Sequence, residues 1–221
     1  LVRLSYKDPE ETFSTNVMGL ISLFEAVRRS HTVRAIINVT TDKCYENREW
    51  VWPYREDELL GGHDPYSASK ACAELLTGSY RRSFFKDANI AIATARAGNV
   101  IGGGDKSTDR LVPDFCNAFD DGSSLVVRNP LATRPWQHVM EPLHGYITLA
   151  EKLISHGNTF AEAWNFGPSL KNTKSVGKIA DIMCAYLKAP KWVLAKGIQP
   201  HEAQSLALES SKAHTRLGWM P

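Results

Sequence analysis

Tyr66-Ser67-Ala68-Ser69-Lys70 sets a phenol and an ammonium one helical turn apart. On a helix both groups share a face, where the cation stabilises a phenolate and draws the tyrosine pKa toward neutrality. A phenolate held this way accepts a proton from a sugar or alcohol hydroxyl. A solvated helix face is the plain alternative, and spacing alone does not choose between them. Thr41-Asp42-Lys43 is a second run with chemistry in it: hydroxyl, carboxyl group and amine in sequence. A carboxylic acid can protonate a departing hydroxyl while a neutral amine removes a carbon-bound proton beside a carbonyl. That role requires a depressed pKa at Lys43, for which burial beside other cations is the usual cause. Otherwise the run is an Asp-capped turn with a surface lysine. Arg134-Pro135-Trp136-Gln137-His138 offers a planar guanidinium suited to a diphosphate and an indole for stacking. It reads equally as a loop anchored on the core through Trp136, with His138 structural.

Other chemistries lack their residues. Gly102-Gly103-Gly104 opens a G-x-G-x-x-S run, and no G-x-G-x-x-G occurs in the chain. Either the protein binds no dinucleotide, or the first βαβ unit lies upstream of Leu1. Cys44, Cys72, Cys116 and Cys184 stand far apart with no C-x-x-C, and the histidines have no ligand spacing, so neither a disulfide framework nor a metal site is expected. A reducing cytosol follows as the expected compartment. The 26 Lys and Arg against 24 Asp and Glu give a net charge of +2 with the signs mixed along the chain. That leaves no footprint for nucleic acid or a polybasic membrane contact. No apolar stretch approaches the roughly 18 residues of a membrane span, and no signal peptide opens the chain.

The elements that would position these groups follow from caps and periodicity. Asp8-Pro9-Glu10-Glu11 reads as an N-cap, a proline in the first turn and a capping-box glutamate, followed by Phe13, Val17, Leu20, Ile21, Phe24 and Val27 at helical spacing. Residues 35–40 form a short, β-branched run that suits a central parallel strand covered on both faces, with Thr41 to Lys43 at its carboxyl end, where ligands bind in open α/β sheets. Asp64-Pro65 starts a second long helix to about Phe85. Residues 89–97 make a second strand, closed by a glycine-rich turn over 98–104. Further on, the pattern predicts a helix near 111–119, a strand at 125–128, a loop through 134–136, a helix over 139–153, a strand at 164–166 and a helix over 176–187. This is the rhythm of a doubly wound parallel α/β sheet. Residues 1–105 would form the main, Rossmann-like domain and 106–221 mainly a smaller lobe, with some elements returning to the main sheet.

Four ordered motifs, T-N-V-M-G (15–19), T-T-D-K-C-Y (40–45), Y-S-A-S-K (66–70) and R-A-G-N-V-I-G-G-G-D (96–105), resemble the extended short-chain dehydrogenase/reductase family. The stretches E-N-R-E-W-V-W (46–52), R-N-P-L-A-T-R-P-W-Q-H-V (128–139) and W-N-F-G-P (164–168) are similar to its branch of 4,6-dehydratases acting on CDP-glucose. The resemblance implies a tightly held NAD that is reduced and reoxidised within one cycle, for a net lyase reaction. Tyr66, assisted by Lys70, would take the proton of the glucose 4-hydroxyl; Lys43 would remove the C5 hydrogen; Asp42 would protonate the departing C6 hydroxyl; and Thr41 would hold the 4-oxygen. Thr40, Tyr66, Lys70, Ala97 and Asn99 are implied as cofactor contacts, and Asn99, Arg110 and Arg134 as contacts of the CDP-glucose substrate. Many nucleotide-sugar 4,6-dehydratases carry Glu where Lys43 stands, whereas the CDP-glucose branch resembles this sequence in having Lys; Lys106-Ser107 departs from the Trp-Ala usual after G-G-G-D. A homo-oligomer, dimer or tetramer, is implied through the long helices starting near Pro9 and Tyr66, as is deoxysugar supply to surface polysaccharide such as O-antigen. The family begins earlier, with a first strand, a glycine turn and an acidic ribose-reading residue. The chain therefore reads as a fragment expected to be inactive alone. A 4-epimerase on the same scaffold and a non-catalytic sugar-nucleotide-binding module are the rival readings.

Overall fold

Both cap-then-proline signals start helices in the computed structural model, which describes residues 1–169, 173–197, 199 and 203–221. Asp8 accepts the Glu11 N–H at 2.9 Å and Asp64 accepts that of Ser67 at 3.0 Å. Each proline sits in the first turn, where its missing donor leaves nothing unsatisfied. From Asp8 the chain runs through α2 (Pro9–Phe13), a π-helical turn and α3 (Gly19–Arg28); from Asp64 it runs through α4 (Pro65–Tyr80) and a second π-helical turn ending at Phe85. The reciprocal half of the capping box does not form at Asp8. Its N–H already donates to the Leu4 carbonyl of α1 (Val2–Lys7), a helix the periodicity does not reveal, and Glu11 Oε1 takes the Thr15 hydroxyl instead.

The main sheet is parallel, with β1 (Ala35–Val39), β2 (Ala91–Ala97) and β7 (Ala163–Phe166) in the order β1-β2-β7. Strand alternation gives its two faces different partners. Ala91, Ala93 and Ala95 join Leu149 and Leu153 of α6 (Met140–His156), Trp164, Phe166 and, from α8 (Ser211–Leu217) and its end, Leu217 and Trp219. Ile90 and Ile92 turn to the opposite side, against Phe24, Val27 and Phe85. Helices on both faces are the expected doubly wound arrangement. Among the described residues β2 lies between β1 and β7 and is fully buried, while β1 is part-buried apart from Val39, which is 46% exposed.

Beyond residue 98 the structure corrects two expectations. The glycine-rich stretch contains a strand, β3 (Asn99–Ile101), and the supposed loop at 134–136 contains β5 (Thr133–Arg134) and β6 (Trp136–His138). β3 pairs in parallel with β6, and β5 pairs antiparallel with β8 (Lys174–Ser175). Strands of two or three residues show no alternation, so distant partners alone decide them. A separate core joins Phe115 of α5 (Leu111–Asp120), Val127 of β4 (Val126–Val127), and Ala180 and Cys184 of α7 (Val176–Leu187); β9 (Val193–Leu194) pairs with β4.

Candidate active site

Where β1 ends, Thr41 caps a single 3₁₀ turn, Asp42–Cys44. The turn folds Asp42 inward to 1% exposure. Its Oδ1 accepts the Thr41 hydroxyl at 3.0 Å and Lys43 Nζ at 3.3 Å, while Oδ2 is buried without a partner. A buried carboxyl oxygen left bare is costly unless something else meets it. Tyr66 enters from α4, where its N–H donates to Ser5 Oγ of α1 at 3.0 Å and the Asp64 cap fixes the turn. Tyr66 and Thr41 to Lys43 line one cavity of about 950 Å³ above the carboxyl ends of β1 and β2. The two chemistry-bearing runs thus meet, with the Thr41 hydroxyl bonded to the Tyr66 phenol.

The electrostatics differ from the helix-face expectation. Burial pushes the Tyr66 phenol up, and the charge that most opposes this is Lys43, followed by the Thr41 hydrogen bond. Lys70 does not line the cavity. Its Nζ lies 3.4 Å from the Val39 carbonyl, at the end of β1, and burial lowers its pKa. Shared helical spacing put the two groups on one face, but β1 draws the longer side chain aside.

The other expected site residues spread around the same cavity. Thr40, Ala97, Asn99, Arg110 and Arg134 all line it. The Thr40 hydroxyl is turned away, donating to Glu74. Asn99 Oδ1 is buried with no partner, an acceptor open to a ligand donor. Arg134 is buried, with Nη1 donating to the Thr133 carbonyl at 2.9 Å; Arg110 is exposed and pairs with Asp105 at 3.1 Å. Trp136 lines the cavity and also donates to the Lys174 carbonyl at 3.0 Å, so the indole does anchor its loop. His138 Nδ1 accepts the Met140 N–H at 3.3 Å at the start of α6, a structural duty. No group of side chains that could hold a metal ion occurs among the described residues.

Three contributors escaped the sequence pattern. Ser5 sits in an unannounced helix. Glu74 and Arg96 are buried, and Arg96 donates to Glu74 through Nε at 2.9 Å and Nη2 at 2.7 Å. A lone arginine inside the run A-I-A-T-A-R-A was the available signal, because a buried charge needs a partner.

Gly98 lets β2 lie close to the loop before β6. A Cβ there would lie 2.6 Å from Pro135 Cγ and 3.2 Å from the Pro135 carbonyl oxygen. Gly98→Ala is therefore expected to cost about 1–3 kcal/mol of stability, the range for overpacking a filled site, as Pro135 is pushed aside; denaturant unfolding measures the loss.

Comparison with known proteins follows this geometry. The chain is 51% identical over 227 residues to CDP-glucose 4,6-dehydratase of Salmonella typhimurium, covering 100% of this chain and 63% of that protein. It is 28% identical over 213 residues to dTDP-glucose 4,6-dehydratase of Streptomyces griseus, covering 94% of this chain and 60% of the relative. It thus spans about six-tenths of the length of these curated relatives. Among solved structures, dTDP-glucose 4,6-dehydratase from Streptomyces venezuelae with NAD bound superposes with a TM-score of 0.86 at 22% identity, over 100% of this chain and 65% of that one. UDP-glucuronic acid 4-epimerase from Bacillus cereus, solved with NAD and UDP-glucuronic acid, gives 0.86 at 22% identity over 100% and 67%. At that identity both show the fold alone. The decisive match is to the family described as GDP-mannose 4,6 dehydratase, which takes in residues 1–221 without interruption, and the chain belongs to that family.

Proposed function

We propose that the complete protein carrying this chain is a nucleotide-sugar 4,6-dehydratase that converts CDP-glucose to CDP-4-dehydro-6-deoxyglucose. The observation that carries this reading is the convergence of Tyr66, Thr41, Asp42 and Lys43 on one cavity at the carboxyl rim of the sheet. The 51% identity to the Salmonella enzyme supports the choice of CDP-glucose.

NAD fits the residues present: the orphaned Asn99 Oδ1, the strand end at Ala97 and the Tyr66 phenol border the same cavity, with Thr40 and Lys70 beside them at the end of β1. When bound, NAD supplies reversible hydride exchange with the sugar. Tyr66 Oη takes the proton of the 4-hydroxyl, and the Thr41 hydroxyl holds the 4-oxygen. Oxidation at C4 acidifies the C5 hydrogen; Lys43 Nζ first passes its own proton to the Asp42 carboxylate, 3.3 Å away, and then removes that hydrogen, while the Asp42 carboxyl group so formed, with Oδ2 free of any protein partner, protonates the departing 6-hydroxyl. The hydrogen bonds already present then reset the site. Thr41 links the phenol to Asp42, so the proton taken from the 4-hydroxyl has a path to the carboxylate that the water leaves behind. Lys43 gives its proton back at C5.

In this assignment residues 1–105 provide the cofactor side and 106–221 mainly the substrate lobe, with Arg110 and Arg134 at the diphosphate. Exposed Met18, Leu23 and Leu75 on α3, α4 and the turn before α3 support pairing of two copies through these helices. No helix among the described residues is long and apolar enough to cross a membrane, which fits a cytoplasmic enzyme supplying deoxysugars to surface polysaccharide.

The test is direct. The complete protein with NAD and CDP-glucose should form a 4-keto-6-deoxy sugar with no net NADH, and should do so faster than with the UDP, dTDP or GDP analogues. NADH accumulating without loss of water would refute the mechanism. The pH dependence gives a second check. Because Lys43 opposes the burial that raises Tyr66, Lys43→Met should raise the phenol further. The acid limb of single-turnover C4 oxidation then moves to higher pH, since the base acts only when ionised; an unmoved limb would remove Lys43 from this role.

A further inference from the structure

Glu74 lies one turn beyond Lys70 on α4, is buried, and is absent from the cavity wall. Its carboxylate is saturated. Oε1 accepts Arg96 Nε at 2.9 Å and the Thr40 hydroxyl; Oε2 accepts Arg96 Nη2 at 2.7 Å and the Thr94 hydroxyl at 2.8 Å. Arg96 extends the connection through Nη1 to Tyr45 Oη at 2.7 Å and the Glu56 carbonyl at 3.0 Å. The Tyr45 hydroxyl in turn donates to Asn165 Oδ1 at 2.7 Å, on β7. The partners fall at telling places. Thr40 immediately precedes Thr41 to Lys43, Arg96 immediately precedes Ala97 to Asn99, and Glu74 itself shares α4 with Tyr66 and Lys70. A buried ion pair is a weak device for stability, because apolar residues of equal volume often serve as well. Holding three site-bearing segments to one another is a task that apolar residues, lacking directional bonds, do less well.

We infer that Glu74 is a positioning residue for the proposed dehydration: fixed by Arg96, its carboxylate registers α4 against the ends of β1 and β2 and supplies the negative charge that faces the Lys70 ammonium. The inference rests on the dehydratase reading for its kinetic consequence, though not for its electrostatic one. Burial lowers the pKa of Lys70, and Glu74 is the largest opposing charge. The other groups facing Lys70 are the Cys44 thiol of the 3₁₀ turn and the Val39 carbonyl of β1. Cys44 stays protonated, since burial pushes its pKa far up. Glu74 itself remains ionised despite burial, because its bonds from Arg96, Thr40 and Thr94 outweigh the desolvation.

The experiment follows Lys70 in the complete protein by lysine side-chain NMR titration, beside kcat and KM for CDP-glucose. Glu74→Gln alone strands the Arg96 charge and invites unfolding, so the informative variant is the neutral pair Glu74→Gln with Arg96→Gln. Leu149→Ala, on the opposite face of the sheet, serves as a control that weakens packing without changing charge. In the neutral pair Lys70 should titrate at lower pH, and kcat should fall about tenfold or more where Lys70 has lost its proton, with KM held within about twofold. Leu149→Ala should leave the titration in place. A Lys70 midpoint that does not move in the neutral pair, or moves equally in Leu149→Ala, overturns the inference. The titration needs no substrate, so failure to turn over CDP-glucose would remove the dehydratase reading while leaving the action of Glu74 on Lys70 to be judged by NMR.

Discussion

Tyr66→Phe should lower turnover of CDP-glucose by roughly 10²–10⁴-fold, the span of a general acid–base contribution, while leaving the affinity for the substrate nearly unchanged. The ring sits at the second residue of α4, and the substitution keeps its volume and the backbone bond to Ser5. What disappears is the one oxygen that can take the 4-hydroxyl proton. Because burial raises this phenol, its ionised fraction limits the unaltered enzyme at neutral pH, and kcat/KM should climb with pH in the acid range. In the Phe variant that climb should flatten. Calorimetric binding of CDP-glucose and a pH series of initial rates provide the measurements. A variant retaining its rate within about threefold, well below the lower end of that span, would show that the proton leaves by another path.

Asp42→Asn should block loss of water by a similar factor of about 10²–10⁴, yet spare oxidation at C4. The amide is isosteric, and its oxygen can still accept from the Thr41 hydroxyl and Lys43 Nζ as Asp42 Oδ1 does, at 3.0 and 3.3 Å. The nitrogen that replaces the unpartnered Oδ2 cannot deliver an acid proton to the 6-hydroxyl. A 4-keto hexose still bearing its 6-hydroxyl should therefore accumulate in single turnover, detectable by mass. This variant separates the two enzymatic readings. A 4-epimerase needs no acid at C6, so undiminished turnover in Asp42→Asn would identify the scaffold's other chemistry.

Much of the frame was legible residue by residue. Asp8-Pro9 and Asp64-Pro65 announced two helices because capping is local: a carboxylate reaches an amide three residues on, whatever the rest of the chain does. The strands 35–39 and 91–97 were visible as short apolar runs of the right length, and helix 176–187 stands where its period put it. The short strands 99–101, 133–134 and 136–138 were not legible, since each exists only through a partner more than 30 residues away.

The site divides along the same line. Residue types and order determined which groups this chain could bring to proton transfer: the phenol of Tyr66, the hydroxyl, carboxyl and amine of residues 41–43, and the guanidinium of Arg134. Tertiary structure alone decided that Lys43 shares the cavity with the buried phenol and opposes its desolvation, and that Lys70 reaches the Val39 carbonyl. It also left Asp42 Oδ2 bare and joined Glu74 to Arg96 beneath the rim. Coulomb and desolvation energies depend on separations of a few ångströms and on the exclusion of water, and neither exists until the strand ends and α4 have closed on one another.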